Sequence, residues 1–176
     1  MILEIRKEGD PVLRQKAVPV DVIDERMRQL AADMLETMYN APGVGLAAPQ
    51  VGVAVRLIVL DDGSGPHTLF NPRIVSLRGE VCEEEGCLSV PGMIGQVRRA
   101  AQVEVEAYDR SGRQILVRGD DLHHVAGLVD AGSFREIGKI AGKGSYDADG
   151  ELTGLAPSNL IFGRANIGLA SAASTV

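Results

Sequence analysis

Glu85-Gly86-Cys87-Leu88-Ser89-Val90-Pro91-Gly92 and Gly43-Val44-Gly45-Leu46-Ala47-Ala48-Pro49-Gln50 govern the reading of this 176-residue chain. Glycine and proline punctuate both stretches, so each reads as a backbone-rich loop. One loop offers a thiol, Cys87, and the other a side-chain amide, Gln50. The rest of the chain matters through the scaffold that brings these two loops together.

Upstream, Met27, Leu30, Ala31, Met34, Leu35 and Met38 recur at helical spacing and form one apolar stripe. Asp21 or Asp24 caps this helix, acids in its first turn suit the helix dipole, and Ala41-Pro42-Gly43 stops it after Asn40. The stripe is accounted for by core packing. Residues 1–20 read as extended. Beyond Gly52 the pattern turns to strands, beginning with the short buried run Arg56-Leu57-Ile58-Val59-Leu60. Leu69–Pro72 and Ile74–Leu77 read as one strand broken by a turn. Gln102–Tyr108 alternates at period two, and Asp109-Arg110-Ser111-Gly112 turns it into Gln114–Val117 as a hairpin. The expectation is an α+β domain of mainly antiparallel strands around a long N-terminal helix.

Composition narrows the class. A length of 176 suits one domain, and 45% apolar residues with 3% aromatics and no Trp require an aliphatic core. A net charge of −6 argues against a general nucleic-acid binder, which needs a basic face. Arg98-Arg99 reads as a solvated strand end. The charged start Ile2–Lys7 lacks the apolar core of a secretory signal, and no uncharged run reaches the roughly 18 residues of a membrane span. Cys82 and Cys87 make no disulfide framework. These features predict a soluble cytoplasmic protein.

The two quoted stretches resemble the first two signature motifs of the peptide deformylases, metalloenzymes that remove the formyl group from the first residue of new bacterial proteins. The resemblance covers residues 1–122, about two-thirds of the chain. It implies a deformylase-like α+β domain in which Cys87 is one ligand of Fe²⁺ or Zn²⁺. Gln50 and the backbone N–H of Leu88 would stabilise the oxyanion formed when water attacks the formyl carbon. Gly43, Val44, Gly45 and Glu85 would hold an extended formyl-methionyl peptide. The implied partners are nascent formylated peptides near the ribosomal exit, with no membrane and no specific nucleic acid. Cys82, outside the motif, reads as structural, and His67 as an exposed loop residue.

The family has a third motif, a helix carrying His-Glu-x-x-His, whose i and i+4 imidazoles reach one metal. Here Gly119-Asp120-Asp121-Leu122 leads into His123-His124-Val125-Ala126-Gly127-Leu128-Val129-Asp130-Ala131-Gly132. Ungapped alignment puts Leu128, Val129 and Gly132 where the family has His, Glu and His, and no histidine follows His124. His123 and His124 would diverge by about 100° on a helix. One of them with Asp130 is the available surrogate pair.

Residues 123–176 hold nine glycines, against twelve in the 122 residues before. No stretch there keeps helical periodicity, so the segment reads as an atypical part of the same domain or a disordered tail. Asp147-Ala148-Asp149-Gly150-Glu151 reads as a hairpin turn rather than a calcium loop, since it lacks the later ligands of an EF-hand. Two alternatives to a working deformylase follow. One is a catalytically inactive member of the fold that binds N-terminal peptides, and the other is a frameshifted or chimeric chain.

Overall fold

The computed structural model describes residues 1–61, 63–119, 145–146 and 152–154. The expected helix is present as α1 (Glu25–Asn40), with the Asp24 carboxylate accepting the Met27 N–H at 2.9 Å. At its far end the N–H groups of Ala41 and Gly43 donate to Thr37 O and Met38 O at 3.0 and 2.9 Å, so the chain leaves toward the first motif. The strands are β1 (Gly45–Ala47), β2 (Leu57–Asp61), β3 (Pro66–Arg78), β4 (Val81–Cys87), β5 (Val90–Arg99), β6 (Gln102–Tyr108), β7 (Gln114–Gly119), β8 (Ser145–Tyr146) and β9 (Leu152–Gly154). A five-stranded antiparallel sheet runs β1-β2-β3-β6-β7, and β4 pairs β5 in a separate hairpin.

Both faces of the central sheet carry buried residues. Leu57 and Val59 of β2 pack with Phe70, Leu46 and the α1 residues Ala31, Met34 and Met38. Ile58 and Leu60 point the other way and pack with Leu69, Val103, Val105 and Ala107. This period-two division explains why β2 is apolar from Leu57 to Leu60: each of these side chains enters one of two cores. Met27, Leu30 and Leu35 flank the helix contact as partly buried residues, so the predicted stripe is the packed face.

Three readings change. Residues 66–78 form one strand rather than two pieces around a turn; the interruption is a bulge with register shifts between Phe70 and Arg73 and between Ile74 and Ser76. Asn71 adopts a left-handed φ of 50° there, and its amide accepts the Val20 N–H and donates to Val20 O, each at 2.8 Å. Residues 1–20 are not extended throughout, because Asp10 caps a short 3-10 turn at Pro11–Arg14. His67 lies within β3, paired with Leu60 across the sheet, rather than in a loop.

Strands β8 and β9 pair antiparallel on either side of residues 147–151, as the hairpin reading requires. The turn itself, His123, His124, Leu128, Val129, Asp130 and Gly132 lie outside the described residues. Among the described residues no helix is long and apolar enough to cross a membrane.

Candidate active site

The first motif is strand β1 followed by a 3-10 turn at Ala48–Val51, rather than a simple loop. β1 is an edge strand of the large sheet. Asp61 N–H donates to Val44 O at 3.0 Å, and Leu46 stands opposite Val59. The alternation of an antiparallel ladder therefore turns the peptide groups of Gly45 and Ala47 away from β2, toward the open edge. The Ala47 N–H uses this position to donate to Gln50 Oε1 at 2.9 Å. Gln50 itself is buried, and Gly52 ends the turn with a φ of 84°.

The second motif corrects the other loop assignment. Glu85, Gly86 and Cys87 form the end of β4, Leu88 and Ser89 make the hairpin turn, and Val90–Arg99 returns as β5. The register pairs Glu85 with Gly95 and Arg99 with Val81, and the two long side chains meet along the hairpin. The Glu85 carboxylate accepts Arg99 Nε–H at 2.9 Å and an Arg99 Nη2–H at 2.6 Å, with the side chains 5% and 1% exposed. Arg99 is thus a buried, bidentate partner and not part of a solvated strand end. The pairing also commits the carboxylate of Glu85, a residue expected to hold substrate, to the base of the hairpin. Cys82 is exposed on β4, so its sulfur fills no core position and has no structural part to play there.

The two motifs meet at Gln50. Its Nε2 donates to Ser89 Oγ at 3.2 Å and faces Cys87 Sγ at 3.7 Å. Because the Ala47 N–H is only a donor, it fixes the amide carbonyl on that side and the NH₂ on the Cys87 side. Gly43 permits a close approach: a Cβ there would lie 2.7 Å from Leu88 Cδ1 and push that side chain aside. The segment 6–8 ties both motifs from below, as Arg6 N–H donates to Gln50 O (2.7 Å), Lys7 Nζ to Leu88 O (2.9 Å) and Glu8 N–H to Ser89 O (2.9 Å).

A cavity of about 690 Å³ lies between them, with Gly43, Val44, Gly45, Gln50, Cys87 and Leu88 in its wall. All seven residues singled out from sequence therefore line one space, Glu85 included. Ser89, Lys7 and Arg99 also line it and were not singled out. Ser89 lies two residues from Cys87 in the motif, which is a weak signal; Lys7 and Arg99 reach the site through pairings across the fold that local spacing does not encode.

Burial pushes the Cys87 thiol up to about 11, outweighing the Ser89 and Val90 N–H groups that favour its thiolate. A bound cation would reverse that balance, since metal coordination deprotonates a thiol. The described residues nevertheless do not complete a metal centre. Among the described residues Cys87 is the one thiol lining the cavity, and no three His, Cys, Asp or Glu side chains cluster to hold an ion.

Residues 2–126 match the family model described as polypeptide deformylase. The peptide deformylase of Acetivibrio thermocellus is 55% identical over 122 residues, covering 69% of this chain and 72% of the relative. That of Symbiobacterium thermophilum is 44% identical over 168 residues, covering 89% and 77%. Among solved structures, the peptide deformylase of Thermotoga maritima superposes with a TM-score of 0.72 at 36% identity, covering 76% of this chain and 95% of that one. The Legionella pneumophila enzyme gives 0.72 at 43% identity, covering 76% and 83%. With the family model spanning well over half of the sequence and the site motifs inside it, this chain belongs to the polypeptide deformylase family.

Proposed function

We propose that this protein is a peptide deformylase, hydrolysing the N-terminal formyl group of formyl-methionyl peptides. Water adds to the formyl carbon, the C–N bond breaks, and formate and a free amino terminus leave. The observation that carries the reading is the Gln50 amide, locked by Ala47 at its oxygen and aimed past Cys87 at its nitrogen. Such a preset donor favours charge that develops on a carbonyl oxygen during attack, and one donor is typically worth about 100- to 1,000-fold in rate. The Leu88 N–H is the proposed second donor. The open edge of β1, entered through Gly43 and Val44 and beginning at Gly45, suits an extended peptide added as a further strand. Glu85 would serve that site by fixing the hairpin through Arg99.

In this reading Cys87 is a ligand to Fe²⁺ or Zn²⁺, which would supply Lewis acidity and an activated water. Because the described donors do not complete that centre, no step is assigned to the ion. The domain is taken as residues 1–122, with nascent formylated peptides near the ribosome as substrates and the cytoplasm as its place. Metal content of protein purified anaerobically, beside a Cys87→Ala control, tests the reading. About one Fe or Zn per chain, lost in the control, supports it; a folded metal-free protein counts against it.

A second reading has its own observation. Leu128, Val129 and Gly132 stand where the family has His, Glu and His, and none offers a ligand or a base. The chain would then capture formyl peptides without cleaving them. Saturable binding of a formyl-methionyl tripeptide with no formate released distinguishes this reading from the first.

A further inference from the structure

We propose that Ser89 is a positioning residue whose hydroxyl sets the direction of the Gln50 amide, and so the aim of the oxyanion donor. The inference rests on the deformylase reading for its catalytic consequence, but its geometric content stands apart from turnover.

The two backbones are already fixed relative to one another. Arg6 N–H holds Gln50 O at 2.7 Å and Glu8 N–H holds Ser89 O at 2.9 Å, so one short segment braces both residues. What remains free is the terminal torsion of the glutamine, which is broad and nearly two-fold in a side-chain amide. Ala47 N–H anchors one end of the amide at 2.9 Å. A single anchor leaves the NH₂ free to swing about it. The Ser89 hydroxyl, 3% exposed and 3.2 Å from Gln50 Nε2, is the second anchor.

The proton inventory favours this role. An amide nitrogen has two donors and no lone pair to offer, so Ser89 Oγ must accept from it. One Nε2 proton is then taken by Ser89, and the other is left on the side facing Cys87 Sγ at 3.7 Å, toward the cavity. Ser89 therefore sets the direction of the donor without touching the reacting atoms.

The test uses ¹⁵N-labelled full chain as wild type, Ser89→Ala and Ser89→Thr. The Gln50 side-chain NH₂ resonances are assigned by their loss in Gln50→Glu. Ser89→Ala should raise hydrogen exchange at that NH₂ about 10-fold, as expected for one lost neutral hydrogen bond. It should lower kcat on a formyl-methionyl peptide by a similar factor, with KM unchanged, and Ser89→Thr should restore both. Unaltered NH₂ exchange in Ser89→Ala overturns the proposal. So does equal loss in the threonine variant, which would mark a packing effect. Should the alanine variant not fold, Ser89→Cys, near in size but a poor acceptor, takes its place. Wild type that releases no formate sinks the deformylase reading, and the exchange data then decide the positioning role alone.

Discussion

Removing either partner of the Glu85–Arg99 pair should unfold much of the protein's stability margin, whereas removing both should not. The guanidinium meets the carboxylate through two bonds of 2.9 and 2.6 Å, with side-chain exposures of 1% and 5%. Neither charge is screened by solvent at that depth. Glu85→Gln or Arg99→Met leaves a buried ion without its counter-charge, which typically costs about 3–5 kcal/mol. Domains of this kind are stable by only about 5–15 kcal/mol, so either single change consumes a large fraction. The double variant Glu85→Gln/Arg99→Met carries no buried charge and should recover much of the loss, because a well-packed neutral pair often equals a buried ion pair. Urea unfolding followed by far-UV circular dichroism is the assay, since the chain has no Trp to report by fluorescence. A coupling energy above about 2 kcal/mol from the double-mutant cycle is the expected result. Single variants that each cost less than about 1 kcal/mol would refute the reasoning, because that is what a solvated surface pair gives.

Gln50→Ala should lower kcat for a formyl-methionyl peptide by about 100- to 1,000-fold with little change in KM, as steady-state kinetics would reveal. In metal-free protein Cys87 should react slowly with iodoacetamide at pH 7, and its rate should climb with pH toward about 11; saturation below pH 9 by peptide mass mapping would contradict the burial argument. The sign for stability follows: an unfolded thiol ionises near 8.5 while the native one holds its proton, so stability falls as pH rises from about 8.5 toward 11. Gly43→Ala should displace the Leu88 side chain, because the new Cβ would sit 2.7 Å from Leu88 Cδ1. A cost of roughly 1 kcal/mol and a raised KM are expected, the flexible leucine yielding before the backbone does. Asp24→Ala should cost about 1 kcal/mol by urea titration, through loss of the carboxylate cap on Met27 N–H.

Helix α1 was legible because its cap, its apolar period and its stop all lie within one local stretch. The same is true of the β6–β7 hairpin, whose alternation and Asp-Arg-Ser-Gly turn need no distant partner. The motif residues were legible through family likeness, since nothing in their spacing alone says that Gln50 and Cys87 face each other. Arg99 was misread because the register sets it opposite Val81, four positions from the Glu85–Gly95 pair, and only the reach of two long side chains along the hairpin joins the charges. The bulge in β3 was misread as a turn because Asn-Pro signals both, and what decided between them was the clip from Asn71 to Val20, 51 residues away. The bracing by Arg6 and Glu8 through backbone N–H groups and by Lys7 through its ammonium is long-range, so no local pattern could announce it.

The most direct test of the central claim is formate release from a formyl-methionyl tripeptide by anaerobically purified protein, measured against its Cys87→Ala variant. The account predicts formate in step with peptide consumed by the wild type and none above background in the variant. Equal, background-level release from both proteins would contradict it.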